Sequence, residues 1–291
     1  MICRNCGAET RMIRTNMGQD LFFCPVCSLL MIDFAKNVSH VNPYDKLLQS
    51  VQEVRRINFN RILNTILSMK SDMHLSGLEV GCAQGDFMDL ANSRGIEMTG
   101  IEPMEESYEA ALQKGLHVLK GLFPQDFPDT VGQFDFIIFN DVFEHIPESR
   151  EVVEKCTELL KPDGLLIINL PMSGGFTYHL ASLFDHLGKG ALLRRLYQLD
   201  TSSPHVLYYN RKSIRSLMSA FHFEEIHRSQ RMKSYTLDSV RERIDAVPMN
   251  LGKAGKIFFQ IGAYLAYPLM NLLPADTRVF YFGRSHEFAE K

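Results

Sequence analysis

Ten residues, Leu78-Glu79-Val80-Gly81-Cys82-Ala83-Gln84-Gly85-Asp86-Phe87, constrain this chain more than any others. A short apolar run ends on an acidic residue, small residues follow at alternate positions, and a helical pattern begins at Phe87. Glycine lets backbone turn sharply and approach a ligand closely, so such a turn belongs at the carboxyl edge of a parallel sheet. The spacing is Glu-x-Gly-x-Ala-x-Gly, not the Gly-x-Gly-x-x-Gly that cradles a pyrophosphate. Glu79 would repel a phosphate and suit an ammonium. Glu102 ends the next apolar run, where an acidic side chain can hydrogen-bond two ribose hydroxyls.

Strand and helix patterns alternate around this turn. Strands are predicted over 77–80, 97–101, 118–121, 134–140, 165–170, 224–228 and 279–282. Helices are predicted over 87–93, 107–114, 148–160 and 212–221, and an amphipathic helix over 45–69 precedes them. The expected fold is α/β and doubly wound, a mostly parallel seven-stranded sheet with helices on both faces. Residues 174–205 break the alternation and read as an inserted lid that carries Phe176, Tyr178, His179, Phe184 and His186.

The chain at this point resembles the class I, Rossmann-like S-adenosylmethionine-dependent methyltransferases, and the resemblance runs in order from Leu75 to Arg228. Their glycine loop is matched at Glu79, Gly81 and Gly85, with Ala83 in place of the middle glycine. Glu102 stands where the family has its acidic ribose ligand, and Pro103 and Met104 would flank the adenine. Gly121, Leu122 and Phe123 occupy the turn at the adenine edge, and Phe134-Asp135 and Lys161-Pro162-Asp163-Gly164 match two further landmarks. The resemblance implies S-adenosylmethionine as cofactor, held by Glu79, Gly81, Ala83, Gly85, Glu102, Pro103, Asn140 and Asp141.

Asn140-Asp141-Val142-Phe143-Glu144-His145-Ile146-Pro147 follows the fourth strand and so lies beside the reactive end of such a cofactor. Methyl transfer from a sulfonium asks the enzyme mainly to align donor and acceptor and to exclude water. A hydroxyl acceptor also needs a base, and histidine suits that task near neutral pH. His145 and His205 are the two candidates. The stretch is similar to that of enzymes modifying quinone precursors, in some of which the residues matching Asp141, Glu144 and His145 are held to bind Mg²⁺. The other reading is that Glu144 and His145 cap and orient the helix that follows.

Cys3-x-x-Cys6 and Cys24-x-x-Cys27 are two knuckles separated by about a hairpin's length. Such knuckles present four thiolates to one zinc ion, and a closed set of four cysteines makes the zinc structural. A ribbon of this size builds no core of its own, so the metal would supply much of its folding energy. The domain reading is therefore a zinc ribbon over 1–35, a linker and helix over 36–74, and a methyltransferase domain over 75–291. Within the last, 174–205 is the lid and 232–275 an apolar helical insertion before the final strand.

Formal net charge is -3, which argues against a broad nucleic-acid face. The first residues lack the apolar core of a signal peptide, so a cytoplasmic site is expected. Residues 257–273 are strongly apolar but carry Gln260, Pro268 and Asn271. They read as helices packed on the sheet, or, more sharply, as a surface that meets a membrane or a lipid-linked acceptor. The function expected is methylation, on oxygen, of a small-molecule or glycan- or lipid-linked acceptor. The alternatives are an RNA base methyltransferase that reads its substrate through the ribbon, and a non-catalytic binding protein that retains the fold.

Overall fold

The computed structural model describes residues 1–33, 49–70, 74–128, 130, 132–234 and 272–285. Two sheets organise them. The larger has seven strands: β4 (Ser76–Val80), β5 (Glu97–Glu102), β6 (His117–Lys120), β7 (Phe134–Asn140), β8 (Leu160–Pro171), β10 (Phe223–Arg231) and β11 (Thr277–Arg284). Their order is β10-β11-β8-β7-β4-β5-β6. The pairs from β8 to β6 are parallel, and β11 joins β8 and β10 in antiparallel register. The expected seven-stranded, mostly parallel sheet is what the chain forms.

β7 shows why its sequence makes a central strand. All seven of its residues are buried, as covering on both faces requires. Its side chains alternate between two cores. Phe136 and Ile138 pack with Phe59, Ile62 and Ile66 of helix α1 (Gln49–Met69) and with Phe87 and Met88 of α2 (Asp86–Asn92). Ile137 and Phe139 pack with Val152, Val153 and Cys156 of α4 (Ser149–Leu159). Each such side chain contributes about 1.5–3 kcal/mol when fully buried. Asp135, the one carboxylate in the strand, is matched by Lys161 Nζ at 2.9 Å and the Ser76 backbone N–H at 2.8 Å. These bonds hold the carboxyl below its ordinary pKa against the opposing push of burial. Two landmarks of the sequence, Asp135 and Lys161, thus lock the amino ends of β4, β7 and β8 together.

Helix α3 (Glu105–Gln113) covers β5 and β6, and α7 (Arg211–Ser219) covers β10. The lid segment forms α5 (Phe176–His186) and α6 (Ala191–Leu196). The apolar segment 257–273 lies outside the described residues save for Leu272 and Leu273, and no described helix is long and apolar enough to cross a membrane.

The smaller sheet changes the picture of the N-terminus. β1 (Arg11–Ile13), β2 (Leu21–Phe23) and β3 (Leu30–Ile32) form an antiparallel meander, and its fourth strand is β9 (Leu207–Tyr208), from far along the chain. Cys3, Cys24, Cys27, Leu29 and Met31 belong to the same core as Phe139, Val152 and Tyr209. The ribbon is knitted into the larger unit.

Candidate functional site

The turn after β4 is built by backbone geometry that few residues tolerate. Gly81 and Gly85 have φ of 67° and 76°, in the left-handed region. A Cβ at Gly85 would stand 2.2 Å from Leu116 Cδ1, and one at Gly81 2.7 Å from Val142 Cγ2. Ala83 is also left-handed, at φ 49°, so the family's glycine is missing where the backbone asks for one. The conformation is held from outside: Glu102 Oε2 accepts the Ala83 N–H at 2.9 Å, and Oε1 accepts that of Met104, also at 2.9 Å. Glu102 therefore clasps the glycine turn to the loop after β5, and its remaining lone pairs are available to a ligand.

A cavity of about 510 Å³ opens over this turn. Glu79, Gly81, Ala83 and Asn140 line it, together with Gln84, Asp86 and Ser107. Gly85, Glu102, Pro103 and Asp141 do not line it: Gly85 is spent on the close approach of Leu116, Glu102 on its clasp, and Pro103 and Asp141 are exposed beside it. Helix α1 closes the cavity with Gln52, Arg55 and Arg56, which sequence reasoning did not find. Their only signal was polar residues on one face of an amphipathic helix.

Glu79 and Asn140 stand at the cavity's inner end. The Asn140 amide donates to Glu79 Oε1 at 2.8 Å, while Glu79 Oε2 and Asn140 Oδ1, both buried, have no partner among the described residues. Burial pushes the Glu79 carboxyl up to about 8, opposed by the Asn140 bond and the Arg55 charge. Two buried, unsatisfied acceptors side by side fit a cationic donor such as an α-ammonium.

The second group of residues lies across the carboxyl edge. Phe143–His145 form one 3-10 turn. His145 and His205 meet ring to ring at 4.7 Å, edge to face. His205 Nε2 is 3.7 Å from Glu144 Oε1 and 2.9 Å from Gln198 Nε2. His145 Nδ1 lies 2.9 Å from the Pro204 carbonyl, which can only accept, so neutral His145 carries its lone pair on Nε2. Burial lowers the pKa of both histidines and raises that of Glu144 well above the carboxylate range. Both imidazoles are thus neutral at neutral pH. His205 also lines a second cavity, of about 320 Å³, with Tyr178, Tyr208, Arg195, Met172 and Asp276.

The expected trio of Asp141, Glu144 and His145 needs correction. The side chains that converge are Glu144, His145 and His205, with ligand atoms within 4.8 Å of one another. Asp141 precedes the 3-10 turn, has φ 55° and is exposed, its N–H bonded to the Asn169 carbonyl. A three- and four-residue spacing aligns side chains only once a helix has begun, and here it begins at Phe143. The trio that the resemblance offered for Mg²⁺, as one of two readings, therefore does not assemble among the described residues.

The four ribbon cysteines do assemble. Cys3 Sγ and Cys27 Sγ are 3.5 Å apart, as are Cys6 Sγ and Cys24 Sγ, and all four lie within 4.8 Å of one another. Four thiolates at Zn–S distances near 2.3 Å stand about 3.8 Å apart at tetrahedral corners, so the set fits zinc without rearrangement. None of the six cysteines is in a disulfide.

Residues 44–228 match the family model described as a methyltransferase domain. Among curated relatives, the mitochondrial ubiquinone biosynthesis O-methyltransferase of Bos taurus is 28% identical over 152 residues, 47% of this chain and 41% of the relative. The ubiquinone biosynthesis O-methyltransferase of Bordetella avium is 31% identical over 93 residues, 30% of this chain and 39% of the relative. The chain thus spans less than half the length of these relatives. Among solved structures, a putative sarcosine dimethylglycine methyltransferase from Galdieria sulphuraria aligns with a TM-score of 0.53 at 17% identity, over 86% of this chain and 94% of the other. Magnesium protoporphyrin IX methyltransferase from Synechocystis with bound SAH aligns at 0.51 and 15% identity, over 83% and 90%. These likenesses speak to the fold. With the family model covering well over half of the chain, this protein is a member of the methyltransferase-domain family.

Proposed function

We propose that the protein transfers the methyl group of S-adenosylmethionine to a hydroxyl of a small-molecule acceptor. The observation that carries this reading is the pair of buried acceptors, Glu79 Oε2 and Asn140 Oδ1, at the inner end of the 510 Å³ cavity. Glu79 and Asn140 would hold the methionine ammonium of the cofactor, and the lone pairs of Glu102 not used in its clasp would serve the ribose. The cofactor supplies an activated methyl on a sulfonium, so the chain's own residues need only align the acceptor, exclude water and take one proton.

The acceptor occupies the cavity beside His205. His205 takes the hydroxyl proton on Nε2, which gives up its 2.9 Å contact with the Gln198 amide to do so, and Glu144 Oε1 lies 3.7 Å from the same nitrogen. His145 packs edge-on behind it and holds the ring in place. Support for oxygen as the methylated atom comes from this buried base and from the O-methyltransferase names of the relatives. Cys3, Cys6, Cys24 and Cys27 would hold a structural zinc. Calorimetry with S-adenosylmethionine tests the first step: one site per chain is expected, and no binding would remove the reading.

A further inference from the structure

The two cavities differ in what builds their walls. The cofactor cavity is made by α1, the turn after β4, α2, α3 and β7. The second cavity takes Tyr178 from α5, Arg195 and Leu196 from α6, and His205 and Tyr208 from the chain leading into and through β9. The ribbon is attached to every one of these elements.

The attachment to β9 is a sheet. Leu30 pairs with Tyr208 and Met31 with Leu207, and the Ile32 N–H donates to the Val206 carbonyl at 3.1 Å. The next residue back is His205. The same β3 strand leaves the second knuckle directly, since the Cys24 N–H donates to the Leu29 carbonyl at 2.9 Å and the Ser28 N–H to that of Cys24 at 2.8 Å. Asn210, just past β9, donates its side-chain amide to the Ser28 carbonyl at 2.8 Å. Few covalent or hydrogen-bonded steps separate Cys24 from His205.

The attachment to the lid helices is polar and partly buried. Asp185 on α5, only 4% exposed, accepts the Asn16 N–H at 2.8 Å on its carboxylate, and its carbonyl accepts the Asn16 amide at 2.7 Å. Arg194 on α6 donates to the Met17 carbonyl at 3.1 Å. At Gly190, which starts α6, a Cβ would stand 2.1 Å from the Asn16 carbonyl carbon, so backbone lies on backbone. Nothing but glycine permits that approach.

We infer that the N-terminal ribbon is a positioning element of the acceptor site: metal held by Cys3, Cys6, Cys24 and Cys27 fixes β3, and β3 fixes β9 and with it His205 and Tyr208, while Asn16 and Met17 fix α5 and α6. This rests on the proposed placement of the acceptor at the second cavity. A ribbon that loses its metal loses most of what folds it. The loss then reaches three walls of the acceptor cavity and leaves the cofactor cavity intact.

Hydrogen exchange on the full-length chain, with zinc bound and after chelation, reads this directly, alongside calorimetry with S-adenosylhomocysteine. On chelation we expect amides of 176–208 to exchange at least tenfold faster. Those of β4, β5 and α2 should stay protected, and S-adenosylhomocysteine affinity should hold within threefold. Asn16→Ala keeps every cysteine and buried residue in place, and should speed exchange across α5 and 187–190 at least threefold with zinc bound. Unchanged protection over 176–208 on chelation overturns the inference. So does loss of S-adenosylhomocysteine binding together with that protection, because the ribbon would then support the whole fold. If zinc-loaded protein fails to bind S-adenosylhomocysteine at all, it is the methyltransferase reading that fails.

Discussion

Binding of S-adenosylmethionine should expel a proton, and Glu79 is the group that releases it. Its carboxyl is buried and pushed up to about 8, so the cofactor-free protein holds it mostly protonated at neutral pH. A ligand ammonium against Oε2 favours the carboxylate and draws the pKa down. Only the ionised fraction is competent to bind, and it rises from about 1% near pH 6 to about 9% near pH 7. Apparent affinity should therefore climb close to tenfold over that unit, about 1.4 kcal/mol. Titration calorimetry in two buffers of different ionisation enthalpy counts the protons, and about 0.9 per bound cofactor is expected near pH 7. Glu79→Gln keeps the Asn140 contact but cannot titrate, so its affinity should be flat over the same interval. Wild-type affinity that does not change between about pH 6 and 7, or a Glu79→Gln protein with the wild-type slope, would refute the reasoning.

Other outcomes follow from the same geometry. Because the folded pKa of Glu79 lies above its ordinary 4.5, its contribution to the free protein is fullest below that value and is lost as pH rises through about 8. The gain in Tm on adding S-adenosylhomocysteine should accordingly widen between about pH 6 and 8. Gly85→Ala forces a methyl onto Leu116 in a left-handed backbone and should cost about 1–3 kcal/mol by denaturant unfolding, with cofactor binding lost. Ala83→Gly relieves strain at φ 49° and should stabilise by up to about 1 kcal/mol in the same assay, and a clear loss would count against the strain. His205→Ala should cut turnover by about a hundredfold or more with cofactor affinity unchanged. The lowered pKa of His205 keeps it neutral in mild acid, so with cofactor saturating at every pH, where the titration of Glu79 no longer limits binding, the acid limb of the wild-type pH–rate profile should fall below about 6.5. Metal analysis should find one zinc per chain, absent from Cys24→Ser.

Much of the fold was legible because its signals are local. The seven buried residues of β7 form one apolar run, and the turn after β4 announces itself by glycines at the positions that need positive φ. Both knuckles could be read from spacing alone, since four sulfurs within a few ångströms need only two tight turns. The site was legible in its parts and less so in its assembly. Glu144 and His145 were found as neighbours in sequence, but their partner is His205, brought in by a chain reversal that leaves no periodic trace. Asp141 does not join Glu144 and His145 because a three- and four-residue spacing aligns side chains only on a helix, and Asp141 is a left-handed residue before the turn begins. Arg55 was hidden because an arginine on a helix face reads the same whether it meets solvent or a cavity. β9 is two residues long, too short for any pattern, yet it joins the ribbon to the rest.

That two-residue strand also sets an order of events. The ribbon strands precede β9 in the chain, so their sheet stays a strand short until Leu207 and Tyr208 have emerged. Until then the outer edge of β3 presents unpaired N–H and C=O groups beside the apolar Leu30 and Met31, the kind of edge that invites pairing with another chain. Contacts closed over so long a stretch of sequence form late and slowly. The ribbon's open edge would be exposed over that interval, and early occupancy of its four thiolates by zinc would keep it from finding the wrong neighbour.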